Sequence, residues 1–308
     1  MLLQACTLTL LSVAMALSLM MGSIDLSVGG VVSMGGVIMA YCMREGMHAG
    51  FALLIGLFIG AMFGLFNGLM VTKLRVPAFI ATFGSMGIAQ SIANTISDER
   101  TISWTPGPHT RLIDFLGDKA LSIELGADAA QRLTISNLLV ITAIAVGVVW
   151  LLFRKTTLGS NIYALGANEE TARLSGIDVS KWRIIVFMIS GLLAALGGIV
   201  VMIRSNSVQP TIGANLEFQA CVAAVLGGNV MEGGKGSVPG AVLGALTLYT
   251  IRSAMSLLGI DTSWVQVVIG MVLVIGMVLN NMAAHQEKKN SQATLSRARA
   301  QHSSGKGA

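Results

Sequence analysis

Glycine recurs at every fourth residue of one apolar run: Gly56, Gly60, Gly64 and Gly68 lie within residues 51–71. In water such a helix would be handicapped, since each interior glycine costs about 1 kcal/mol relative to alanine. In a bilayer the same stripe lets two helix backbones approach closely. Dispersion between them then replaces the hydrophobic drive that lipid removes. The four glycines are therefore expected at a helix-packing face, and the chain is expected to be a polytopic membrane protein whose function lies between its helices.

The rest of the chain agrees. Apolar residues make up 54% and charged residues 11%, against about 25% charged in an average soluble domain. Residues 1–21 are apolar from the start, with no basic leader and no small-residue cleavage site of a secretory signal. Cys6, Cys42 and Cys221 sit far apart in hydrophobic stretches, without metal-ligand spacing. They read as small apolar side chains, with no disulfide framework and no metal site. The net charge of +5 would suggest nucleic acid in a soluble protein; here its location matters more, and no nucleic-acid partner is expected.

A spanning helix needs about 20 apolar residues. Such runs occur at 2–22, 28–43, 49–72, 77–97, 134–153, 182–204, 216–230, 237–258 and 262–281. The fold class is thus all-α integral membrane, a helical bundle of about nine spans. The short runs 28–43 and 216–230 each follow a glycine-containing break that carries an acid, as half-helices or tilted pieces would. Basic residues set the orientation. Lys73, Arg75, Arg154, Lys155, Arg173, Lys181, Arg183, Lys235 and the C-terminal Lys288, Lys289, Arg297, Arg299 and Lys306 fall on one side, read as cytoplasmic. The 98–133 loop, with Asp98, Glu99, Asp114, Asp118, Glu124 and Asp128, is read as external. Nine spans alternate correctly only if Met1 starts outside, which points to a further helix ahead of it. Residues 1–282 are read as the transmembrane domain, with 98–133 its external loop and 154–181 its cytoplasmic loop, and 283–308 as a disordered basic cytoplasmic tail.

The loop 154–181 is the most organised soluble segment. Asn168 is a good N-cap, and Glu169 and Glu170 place negative charge in the first turn. Arg173 falls in the last turn and Gly176 suits the left-handed closing position. These signals predict a two-turn helix over 168–175, too short to persist alone in water. It is either packed on the body of the protein or a docking element that receives motion from a cytoplasmic subunit. The chain carries no phosphate-cradling loop: Gly233-Gly234-Lys235-Gly236 lacks the upstream glycine, Asn229 standing there, and the hydroxyl after the lysine. Energy must come from a partner or an ion gradient.

Four blocks, in order, are similar to those of a known family. They are Gly22-Ser-Ile-Asp-Leu-Ser-Val-Gly29, Arg75-Val-Pro-Ala-Phe-Ile-Ala-Thr82, the stretch from Ile162 to Asp178, and Ala223-Ala-Val-Leu-Gly-Gly228 followed by Gly233-Gly-Lys-Gly-Ser237. Over nearly its whole length the chain resembles the sugar-type (ribose/xylose/arabinose) permease subunits of bacterial ATP-binding-cassette importers. The resemblance implies a family fold of about ten helices in the inner (plasma) membrane and a second permease copy, as homodimer or heterodimer. It also implies a cytoplasmic ATPase subunit and a periplasmic sugar-binding protein. The chain would bind no cofactor itself, ATP and Mg belonging to the partner ATPase. Asn168, Glu169, Glu170, Thr171, Ala172, Arg173, Leu174, Gly176 and Asp178 correspond to the family's coupling helix. Relatives begin with one more helix, and often carry Glu-Leu-Asp where this chain has Glu217-Phe218-Gln219.

Ionisable groups at membrane depth mark function by default. Asp25 and Glu217 lie beside the breaks at Gly22, Gly29 and Gly213, and the charge topology sets the first break toward the cytoplasm and the second outside. Each acid is either an N-cap for the helix that follows or a path residue accepting hydrogen bonds from sugar hydroxyls. Asn67, Gln90 and Asn94 either bond between helices or line the path. Phe79 and Phe83 share a face and either pack or stack on a sugar ring, and Pro77 suits the first turn of a helix. Two rival readings stay open, an ion-coupled secondary transporter and an ATP-driven permease for branched-chain amino acids. An intramembrane enzyme finds no His-Glu-x-x-His, acid pair or Ser/His arrangement in the spans.

Overall fold

A computed structural model describes residues 2–124 and 132–261 and most of 264–278. The helices are α1 (Leu2–Met20), α2 (Ser27–Arg44), α3 (Ala49–Thr72), α4 (Ala78–Ser97), α5 (Arg111–Gly117), α6 (Asn137–Lys155), α7 (Thr157–Ala167), α8 (Glu169–Leu174), α9 (Val179–Ser205), α10 (Leu216–Leu226) and α11 (Val238–Leu257). Among the described residues, α1, α2, α3, α6, α9 and α11 are long and apolar enough to cross a membrane. Helix α4 has the length but carries more polar residues, and α10 is short. The ninth expected span, 262–281, falls partly on residues outside the described set, and the expected basic tail 283–308 lies wholly outside it.

The architecture is the expected all-α membrane bundle, with one addition. The 98–136 connection carries α5 and an antiparallel hairpin of β1 (Lys119–Glu124) and β2 (Arg132–Ser136). Residues 134–136, expected to open the fifth span, belong to that hairpin instead. Ser136 ends the strand and caps α6, its hydroxyl accepting the Leu138 N–H at 3.3 Å.

Helix α9 is the central post, packed against α1, α2 and α3. The glycine stripe of α3 runs along it. A Cβ on Gly68 would stand 2.8 Å from the Ile184 Cα, and one on Gly60 2.6 Å from the Gly191 carbonyl oxygen. At Gly64 a Cβ would overlap the Phe187 carbonyl, and at Gly56 it would stand 3.3 Å from the Gly35 carbonyl and the Ile199 side chain. Backbone thus meets backbone along the pair, the close approach that small residues permit in lipid. Gly191 and Gly198 of α9 do the same toward α3 and α2.

Candidate coupling site and buried polar cluster

Helix α7, an addition within the 154–181 loop, is capped by Thr156, whose hydroxyl accepts the Leu158 N–H at 3.2 Å. It buries Leu158, Ile162 and Leu165, spaced to lie along one helix face. Asn168 closes α7 and opens α8, its side-chain oxygen accepting the Thr171 N–H at 2.9 Å. Glu169 and Glu170 sit in the first turn of α8 and Arg173 in the last. The helix ends in the turn that a left-handed glycine permits: Gly176 has φ 85°, its N–H reaches the Arg173 carbonyl at 3.0 Å, and Ile177 N–H reaches Ala172 at 3.1 Å. Asp178 then caps α9, accepting the Lys181 N–H at 3.0 Å. Within α8 only Ala172 is buried, whereas Leu174 is 83% exposed.

One ion pair anchors α8 to the bundle. Arg183 of α9 donates to both oxygens of Glu169, at 2.8 and 3.4 Å. Arg173 reaches the same carboxylate at 3.4 Å. Beside these residues is a cavity of about 800 Å³, lined also by Gly22, Ser23, Arg75, Pro77 and Asp178.

The fourth sequence block closes the same end of the bundle. Gly234 N–H donates to the Met20 carbonyl at 2.9 Å, and the Tyr163 hydroxyl donates to the Gly236 carbonyl at 2.7 Å. Burial pushes the Tyr163 phenol up, so it stays a neutral donor. Asn229, fully buried, holds its loop by donating to Ala224 O at 2.8 Å and accepting from Ser237 N at 2.9 Å. A Cβ on Gly233 would stand 2.8 Å from both Gly166 O and Gly22 N. Four blocks spread from residue 22 to residue 237 therefore converge at the basic end of the bundle.

Asp25 is fully buried. Its Oδ1 accepts the Ser27 N–H at 3.0 Å and the Ser27 hydroxyl at 2.5 Å, while Oδ2 accepts the Ser190 hydroxyl at 2.6 Å. Asn67 of α3 donates to the Ser27 hydroxyl at 2.8 Å. The cluster joins the start of α2 to α3 and α9, and Asp25 is not among the lining residues of the larger cavities. Glu217, also buried, lies over Gly29, where its carboxylate fills the position a Cβ would take. The Glu217 break thus lies against α2 at Gly29, four residues beyond Asp25. The segment after α9 returns inward, with Val208 paired to Ile102 and Gly213 N–H bonded to the Ser33 hydroxyl at 3.0 Å.

On α4, Gln90 donates to Asn94 at 3.1 Å and to the Pro210 carbonyl at 2.7 Å. Phe79 and Phe83 stack on one another, centroids 6.2 Å apart and planes 5° from parallel, and both are exposed. The structure therefore joins Asp25 and Asn67 in one cluster and keeps the α4 residues and Glu217 apart from it. Arg183 was counted only toward orientation; its position five residues after the Asp178 cap was the one local signal that it starts a helix near α8.

The family model described as "Branched-chain amino acid transport system / permease component" matches residues 1–277. The ribose import permease protein of Escherichia coli strain K12 is 34% identical over 272 residues, covering 88% of this chain and 81% of that protein. The fructose import permease protein FruG of Bifidobacterium longum is 31% identical over 288 residues, covering 92% and 82%. The autoinducer 2 import system permease protein LsrC of Photorhabdus luminescens is 34% identical over 273 residues, covering 89% and 78%. No solved structure matches the chain. With its helical bundle, its short helix α8 and these relatives, the chain belongs to the family of multi-pass inner-membrane permease components of ATP-binding-cassette importers.

Proposed function

We propose that this permease passes a monosaccharide or related small polyol across the membrane, with a separate ATPase subunit docking on α8 from the cytoplasm. The observation that carries the reading is α8 itself. It presents Leu174, Glu170 and Arg173 to solvent and buries one alanine, so a large apolar side chain and two charges stand open for a partner to cover. The sugar class rests on relatives named for ribose and fructose import. ATP and Mg belong to the ATPase, and a periplasmic binding protein delivers the substrate.

A second permease copy faces α4. Its exposed side carries Gly84, Gly87, Ser91 and Thr95 beside Phe83 and Ile88, a run of small residues on which another helix can pack closely. That face, with Phe79 and Phe83, forms this copy's half of the path.

The test is uptake of labelled ribose, fructose, a polyol and leucine by a strain lacking the chromosomal copy, with and without the ATPase gene. ATPase-dependent accumulation of a sugar or polyol is expected. Accumulation of leucine alone would overturn the substrate class, and accumulation without the ATPase would overturn the energy source.

A further inference from the structure

We propose that the Glu169–Arg183 ion pair is the link that carries displacement of α8 into α9, so that both are positioning residues for transport. The inference rests on the reading of α8 as the ATPase contact and adds the route by which its motion enters the bundle.

Helix α8 has few other holds on α9. Ala172 is its single buried residue, and the chain between α8 and α9 turns through the left-handed Gly176. A push on α8 would be absorbed by that turn unless something stiffer crossed it. Arg183 supplies the crossing. Two guanidinium nitrogens meet the two oxygens of Glu169, at 2.8 and 3.4 Å, and such two-point contact fixes orientation as well as distance.

The pair is also hard to separate. The Arg183 side chain is 19% exposed and that of Glu169 39%, and among the described residues Arg183 has no other carboxylate within 4.0 Å. Its Nε is buried without a hydrogen-bond partner. Removing Glu169 would leave a mostly buried cation alone, a far costlier state than a broken surface pair. Arg173, the other partner of Glu169, is 70% exposed, and an ion pair so solvated is weak and screened.

From Arg183 the route continues on one face of α9. Ser190 lies seven residues on, about 10 Å along the axis and on the same side of the helix. Its hydroxyl holds Asp25, which holds Ser27, which Asn67 of α3 holds in turn. An axial shift of α9 is therefore felt at the start of α2, while the glycine stripe obliges α3 to move with α9. Such a contiguous network gives the coupling a physical carrier, and demonstrating it needs a measurement of coupling.

The experiment uses the complete importer, with ATPase and binding protein, in proteoliposomes. Glu169→Gln, Arg183→Gln, Arg183→Lys and the exchange E169R/R183E are compared for ATPase co-purification, ATP hydrolysis and solute moved per ATP. Each single change should retain the ATPase and lower solute per ATP by about 5- to 20-fold, an ordinary coupling free energy. Arg183→Lys keeps the charge and so the fold, but loses the two-point contact, and should fall between wild type and Arg183→Gln. The exchange should recover most of the loss. Wild-type solute per ATP in the single variants, or an exchange no better than they are, overturns the link. Failure of the wild-type permease to retain the ATPase would instead overturn the docking reading.

Discussion

Gly64 of α3 lies so close to Phe187 of α9 that a methyl group on it would occupy the place of the Phe187 carbonyl oxygen. Neither helix can retreat alone, because Gly60 and Gly68 meet α9 one turn to either side. Gly64→Ala should therefore lower stability by about 1–3 kcal/mol, the usual range for overpacking. A lower melting temperature of the purified protein in detergent checks it. Gly84→Ala and Gly87→Ala meet nothing within the same chain and should leave that temperature unchanged. If a second copy covers α4, the same two changes lower uptake.

Leu174 is a large apolar side chain at the tip of a six-residue helix, with most of its surface in solvent. Leu174→Asp should leave membrane levels and melting temperature unaltered, since no burial inside the chain is lost. Co-purification of the ATPase should fall by tenfold or more, as expected when a buried interface anchor worth about 2 kcal/mol is removed. Retention of the ATPase at the wild-type level would remove α8 from the contact.

Asp25 gathers three donors in a site closed to solvent. Asp25→Ala strands the Ser27 and Ser190 groups, at about 1–3 kcal/mol for each buried group left unsatisfied, and should sharply reduce folded protein in the membrane. Asp25→Asn keeps an acceptor for the Ser27 pair and should accumulate better. If Asp25→Asn reaches the membrane but transports poorly, Asp25 serves the path as well as the fold. Transport in proportion to the amount present assigns it to the fold alone.

The Tyr163 hydroxyl bonds the Gly236 carbonyl across 2.7 Å, joining α7 to the loop before α11. Tyr163→Phe keeps the ring against Phe153, where the two stand edge to face with centroids 5.3 Å apart, and deletes only that bond. A loss of about 1 kcal/mol is expected, read as a modest drop in melting temperature. A larger drop would mean that the loop residues 228–237 depend on this bond for their order.

Local signals in the chain were legible and distant ones were not. The ends of α8 followed from Asn168 and Gly176, because caps are read within four residues of the backbone they satisfy. Helix α7 was missed, its cue being only Thr156 and the spacing of Leu158, Ile162 and Leu165 beside polar neighbours. The entry to α6 was set three residues early, since Leu133 and Ile135 read as well in a helix as in a strand; Ser136 decides the matter. Asp25 and Ser190 meet across 165 positions of sequence, and Gly29 meets Gly213 across 184. No periodicity encodes such pairings. The same limit hid Arg183, whose role depends on where α8 folds back rather than on its neighbours in the chain.

At the corner where Gly22, Gly166 and Gly233 touch, three strands of backbone are fused as tightly as a keystone joint, with no side chain between them to yield. A stroke arriving from below thus cannot be taken up by one piece while the others stay still. The foot of α1, the tail of α7 and the approach to α11 must travel as a single block, so the molecule has its give elsewhere.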